Sequence, residues 1–77
     1  MLNKETITYR DMVQGLRDKV IACRIEIEAL KEEKINVMFD YGVDGKEYDE
    51  WIEEQHQEIY RLHKMINNLQ EIYREVR

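Results

Sequence analysis

The residues best equipped for chemistry lie on one stretch: Glu53 and His56, three positions apart, and His63 one heptad further on. A Glu-x-x-His pair sets a carboxylate and an imidazole on the same helical face. In carboxylate-bridged di-metal bundles such pairs project inward beside glutamates from neighbouring helices. Glu26, Glu28, Glu32 and Glu33 would be the further carboxylates. The set is half complete, with one Glu-x-x-His where a di-metal centre uses two, so a second copy of the chain would have to supply the rest. Arg24 and Lys31 are expected beside the histidines, and neighbouring cations disfavour a bound metal ion. Partly exposed helical histidines are therefore the expectation. Glu53, His56 and His63 are weak metal candidates, and no cofactor is expected.

Other reactive constellations are missing. Serine is absent, and Thr6 and Thr8 lie close together near the N-terminus, so a hydroxyl nucleophile has no base or orienting partner in view. Gly42 and Gly45 belong to a turn rather than to a phosphate loop. Cys23, the one cysteine, has no internal disulfide partner and falls on an apolar ladder. It is expected to be a small buried hydrophobe in a reducing compartment, because a reactive thiol needs exposure and a nearby cation. The chain is not expected to be an enzyme.

Composition narrows the class. Of 77 residues, 43% are hydrophobic and 38% charged with the signs interleaved, which fits a helical bundle or coiled coil better than a disordered tail. Proline is absent, so nothing breaks a long helix. The formal charge of -5 argues against direct binding of nucleic acid, which needs a concentrated basic surface. The acids alternate with lysine and arginine and do not form one phosphate-mimicking face. No apolar run approaches the roughly 20 residues that span a membrane. Met1 to Arg10 also lacks the apolar centre of a signal peptide. The expected location is the cytoplasm, of a bacterial cell or of an infected host.

These residues must be positioned by two heptad ladders. The first runs Val13, Leu16, Val20, Cys23, Ile27, Leu30, Lys34, Val37, Tyr41; the second runs Tyr48, Ile52, Gln55, Ile59, Leu62, Ile66, Leu69, Tyr73, Val76. Steps of three and four keep such residues on one helical stripe. The ladders predict one domain over 1–77, an all-α antiparallel helical hairpin with helix one at about 8–41, a turn at 42–46 and helix two at about 46–76. Thr8 with Asp11 is a start signal, with a weaker alternative near Asn3. Gly42 suits a left-handed helix end, Asp44 with Glu47 reads as a capping box, and Val43 with Tyr48 as its hydrophobic staple. Gly45 reads as tolerated at the first helical position. Folding at the glycines sets Val13 against Val76, Cys23 against Ile66, Leu30 against Ile59, Lys34 against Gln55 and Tyr41 against Tyr48. Lys34 is expected to snorkel toward solvent.

Two helices form a seam rather than an enclosed core, and a chain this small usually needs more burial. Ile21, Ile25, Ile35 and Phe39 on helix one, with Trp51, Met65 and Ile72 on helix two, have no partner in a simple hairpin and are the candidate interface residues. The expected flanking pairs, Lys31 with His56, Arg24 with His63 and Glu33 with Glu58, are unattractive. Together these features predict dimerisation into a four-helix bundle.

In plan the hairpin is similar to the small aspartyl-phosphatase regulators of the sporulation phosphorelay. Those carry Ser-Gln-Glu-Leu-Asp in the second helix, where this chain has Trp51-Ile52-Glu53-Glu54-Gln55 without the serine or aspartate. The similarity is one of shape, and no family follows from it. The leading expectation is a non-enzymatic protein–protein interaction module: a small regulator or inhibitor that binds an unidentified protein partner as a homodimer, of a kind that would suit a phage or mobile element. The alternative is a structural or assembly protein whose self-association is its role. A metal-binding four-helix bundle is third.

Overall fold

The computed structural model describes residues 8–76, with side chains to residue 74, as two helices, α1 (Tyr9–Tyr41) and α2 (Lys46–Val76), packed side by side as a hairpin measuring 57 × 29 × 12 Å. The predicted boundaries hold within a residue. The alternative start near Asn3 lies outside the described residues.

Local chemistry explains both ends of α1. Thr8 has extended backbone, its Oγ1 accepts from Asp11 N–H at 3.2 Å, and its own N–H donates to Asp11 Oδ2 at 3.3 Å. That reciprocal capping box satisfies two donors with no partner inside the helix. At the other end Gly42, at φ 64°, donates its N–H to the Met38 carbonyl at 3.0 Å. A left-handed residue of this kind stops the helix while satisfying one of its last carbonyls.

The buried residues are Val13, Leu16, Val20, Ile27 and Leu30 on α1 and Leu62 and Ile66 on α2, all ladder rungs. Burying each contributes about 1.5–3 kcal/mol. Cys23 is half-buried and packs on this core together with Ile59 and Leu69. No polar or charged side chain is buried among the described residues. The ladders thus identify the seam.

The register differs from the sequence expectation by one heptad. Tyr9 stacks on Tyr73 with ring centroids 4.2 Å apart, and Lys34 Nζ reaches Asp49 Oδ1 at 2.5 Å. These contacts set Val13 level with Leu69 and Cys23 level with Ile59, not with Val76 and Ile66, and Leu30 level with Ile52, not Ile59. The two polar rungs do not meet. Lys34 pairs with Asp49 at the edge of the seam with its charged end toward solvent, as a snorkelling lysine does, and Gln55 falls level with Ile27. Tyr41 has no rung to meet and is 77% exposed. A slip of one heptad preserves every apolar stripe, so the ladders alone do not choose between these registers.

The turn makes the choice. Gly45 is buried, sits at φ 67° and lies directly on α1. A Cβ placed there would be 2.8 Å from Lys34 Cγ and 3.3 Å from Met38 Cγ. The chain doubles back along the last turns of α1 before α2 begins, so the tip of α1 overhangs the seam. Gly45 is therefore required rather than tolerated, both for its conformation and for the space. The capping arrangement is also altered: Asp44 Oδ1 accepts from Lys46 N–H at 3.0 Å, and Tyr48 N–H donates to the Gly45 carbonyl at 3.0 Å. Val43 and Tyr48, the expected staple, border one depression at the turn, with Val43 half exposed.

Two glycine substitutions should move stability in opposite directions. Gly45→Ala should destabilise by about 1–2 kcal/mol from its left-handed backbone alone, with more from the crowding on Lys34. Gly15, mid-helix with open space where a Cβ would go, should gain about 1 kcal/mol as Gly15→Ala. Thermal melts followed by circular dichroism check both, since about 1 kcal/mol moves Tm by roughly 4–8 °C at this size.

Candidate functional site

The metal candidates do not converge. Glu53 and His56 border a shallow depression with Gln57 and Tyr60. His63 stands in a separate groove lined by Arg17, Arg24, Val20, Ile21, Ile66 and Gln70 among others. Arg24 is thus beside His63 as expected, and the two arginines make that groove unfavourable for a cation. Among the described residues no three of His, Cys, Asp and Glu come together in a way that would hold a metal ion. Cys23 lies on the seam as a half-buried packing residue.

The seam flanks are better matched than the sequence expectation had them. Glu58 does not face Glu33. It pairs with Arg61 on its own helix, with Arg61 Nε 3.0 Å from Glu58 Oε2 and a second, close contact from Nη2 to Oε1. The hydrogen bond from Arg61 and the attraction of Arg61 and of Lys19 on α1 hold the Glu58 carboxyl below its usual range. The Lys19 contribution is the smallest of these and comes from across the seam without a close ion pair. Glu33 sits instead against Tyr48, where partial burial and then the charge and hydrogen bond of Glu33 push the phenol above its usual range. Tyr48 in turn meets Trp51 edge-on at 5.0 Å. The turn end therefore holds a small cluster of Glu33, Tyr48, Trp51, Lys34 and Asp49.

All seven candidate interface residues have substantial exposure. Phe39 is 88% exposed and Ile25 64%, with Ile21, Ile35 and Ile72 each more than half exposed. Trp51 and Met65 are the least exposed, near two-fifths, because Trp51 leans on Tyr48 and the Met65 sulfur accepts from Arg61 Nη1 at 3.7 Å. Helical geometry separates the seven into two groups. Ile25, Ile35 and Phe39 lie on the outer side of α1, with Ile21 at its edge where it also lines the groove that His63 and Ile66 border, whereas Trp51, Met65 and Ile72 flank the seam on α2. They do not make one patch.

Sequence reading missed the exposed tip. Tyr41, a ladder rung, and Val43, the expected staple, are both exposed where α1 overhangs. Only the register reveals them. Tyr73 was likewise expected in the core; it is 43% exposed while stacked on Tyr9. Tyr60, off both ladders, is exposed with Lys64 Nζ 5.6 Å from its ring centroid, a cation–π contact.

The fold defines the class, a two-helix αα-hairpin. No family model, no curated protein and no solved structure matches the chain. Among the described residues no helix is long and apolar enough to cross a membrane.

Tyr48 supplies a check on this geometry. Its raised pKa favours the neutral phenol in the folded state, so its contribution to stability is present below the unfolded pKa and is lost as pH rises through the folded one. Glu33→Gln should bring the Tyr48 titration, followed by NMR, down toward that of an ordinary tyrosine. An unchanged titration would mean that Glu33 and Tyr48 are not neighbours.

Proposed function

We propose that this chain is a non-enzymatic protein–protein interaction module that works as a homodimer, acting as a small regulator or inhibitor of another protein. The observation that carries the reading is the exposed apolar stripe on the outer side of α1, Ile21, Ile25, Ile35 and Phe39. Four large apolar side chains on one face of an otherwise charged helix are costly in water and gain most by being covered. The flanking charges lend the reading less support than the sequence suggests, since Glu58 pairs with Arg61 on its own helix and does not face Glu33, so the stripe carries it. The overhanging tip with Phe39, Tyr41 and Val43 adds aromatic groups of the kind that anchor interfaces. Self-association as the whole role rests on the same stripe, and it becomes the better reading where the dimer saturates the apolar surface.

Sedimentation equilibrium tests the dimer. The wild-type chain should sediment at twice the monomer mass at micromolar concentration. Ile25→Glu with Phe39→Glu should keep its helicity and sediment as a monomer, because both positions are exposed and outside the seam. A wild-type monomer across that range would sink the proposal. A double variant that stays dimeric would place the contact elsewhere.

A further inference from the structure

The outer side of α1 carries a second heptad ladder. Ile21, Ile25, Glu28, Glu32, Ile35 and Phe39 follow one another at steps of four, three, four, three and four, all within one unbroken helix. This is the spacing that keeps a stripe in line along a helix. All six are exposed and none is a rung of the buried seam, although Ile21 also borders the groove that His63 and Ile66 line on α2.

This ladder is palindromic. Reflection about the level of Leu30 exchanges Ile21 with Phe39, Ile25 with Ile35 and Glu28 with Glu32. A two-fold contact between identical copies makes residue i meet j and j meet i, so a stripe that reads alike from both ends can set apolar rungs on apolar rungs along its whole length. In an antiparallel helix pair the two alternating rung classes face each other, so the ladder can dock on itself only in steps of one heptad. One step either way sets Ile21 against Glu32, or Phe39 against Glu28. Only the register about Leu30 sets all four apolar rungs against apolar rungs; two steps either way pair just Ile21 with Ile25, or Ile35 with Phe39.

The acidic middle says what must lie beside it. Two copies bring four carboxylates, from Glu28 and Glu32, to the axis. Lys31 borders them on one flank and lies 3.7 Å from Glu28 of its own chain, and Arg24 stands one heptad away on that flank. In an antiparallel pair, flanking positions face their own kind. The second copy therefore brings its own Lys31 and Arg24 to the same flank, and four cations border four carboxylates. The opposite flank carries Ala22 and Ala29, which let the backbones approach closely. A parallel pair would turn each cationic flank toward the other copy's alanines and leave the acids of the two chains directly opposed.

We propose that the outer face of α1 is the contact with a second copy of this chain, docked antiparallel about a two-fold axis at the level of Leu30, with Ile25 on the partner's Ile35 and Ile21 on the partner's Phe39. The inference rests on the dimer reading above and adds the face, the direction and the register.

Disulfide trapping in a Cys23→Ala background tests it. In this arrangement residue 25 lies about 15 Å from its own copy across the axis, beyond the roughly 7 Å Cα limit for a disulfide. Ile25→Cys alone should give little cross-linked dimer under mild oxidation. Mixing Ile25→Cys chains with Ile35→Cys chains should give a covalent heterodimer as the dominant product. Efficient cross-linking of Ile25→Cys with itself would overturn the antiparallel direction. A dimer by sedimentation with no cross-link in either experiment would overturn the face, leaving the dimer reading intact, whereas a monomer would remove both. Lys31→Glu should weaken the dimer at least about tenfold, with Lys31→Arg and the α2 control Lys64→Glu near wild type; an unaltered Lys31→Glu dimer would overturn the charge arrangement.

Discussion

The contact of Gly45 with Lys34 and Met38 governs the rest of the hairpin. It requires a left-handed residue without a Cβ at a point where the returning chain lies flat on α1. Once the chain passes there, the first turn of α2 is level with Lys34 rather than with Tyr41. Every later pairing follows, because antiparallel helices joined by a short loop have no freedom left to slide. Lys34 reaches Asp49, Glu33 meets Tyr48, and at the far end Tyr9 lands on Tyr73. A four-residue loop, Gly42 to Gly45, thus fixes a stack some thirty residues away.

That constraint also decides what is left outside. Because α1 overhangs the seam, its last turn has no helix beside it and Tyr41 stays in solvent despite its size, while Ile35 and Phe39 are exposed on the outer side of α1. Apolar groups on an overhang are not explained by packing within one chain. The small seam makes the point sharper. It buries seven side chains in a single line, and two helices have no third layer to shield their flanks.

Fold class, helix boundaries and the identity of the seam were legible in the sequence because they depend on local spacing and caps, as Thr8 with Asp11 and the Val13–Leu30 rungs illustrate. Register was not legible. A heptad slip returns the same apolar faces, and the feature that selects the register, a glycine pressed on a lysine stem, has no signature beyond a second glycine three residues after Gly42. The candidate interface residues were recognised as leftovers of the ladders, and their exposure agrees with that. The expected Glu33–Glu58 clash failed with the register, since a shift of one heptad sets Glu33 against Tyr48 and leaves Glu58 to pair with Arg61 on its own helix. The Glu53, His56 and His63 spacing was sound as helical geometry. It did not gather a third ligand, because His63 stands in the groove between the helices while Glu53 and His56 border a depression lined by α2 alone.

The two ladders of α1 differ in one respect that bears on function. The seam toward α2 keeps its single polar rung, Lys34, near one end, where the charge escapes to Asp49. The outer ladder has its polar rungs, Glu28 and Glu32, in the middle, flanked on both sides by apolar pairs. A polar end costs a seam little, because water reaches it. A polar middle must be neutralised by groups from both copies or it splits the contact in two. An inner seam of the first kind suits a permanent intramolecular packing. An outer ladder of the second kind suits an association that is specific in register, because the acids must find their cations, yet limited in strength, because only four apolar rungs per chain contribute. A small regulator that must both form and leave its complexes would be served by that division, with folding assigned to one face of α1 and exchangeable contacts to the other.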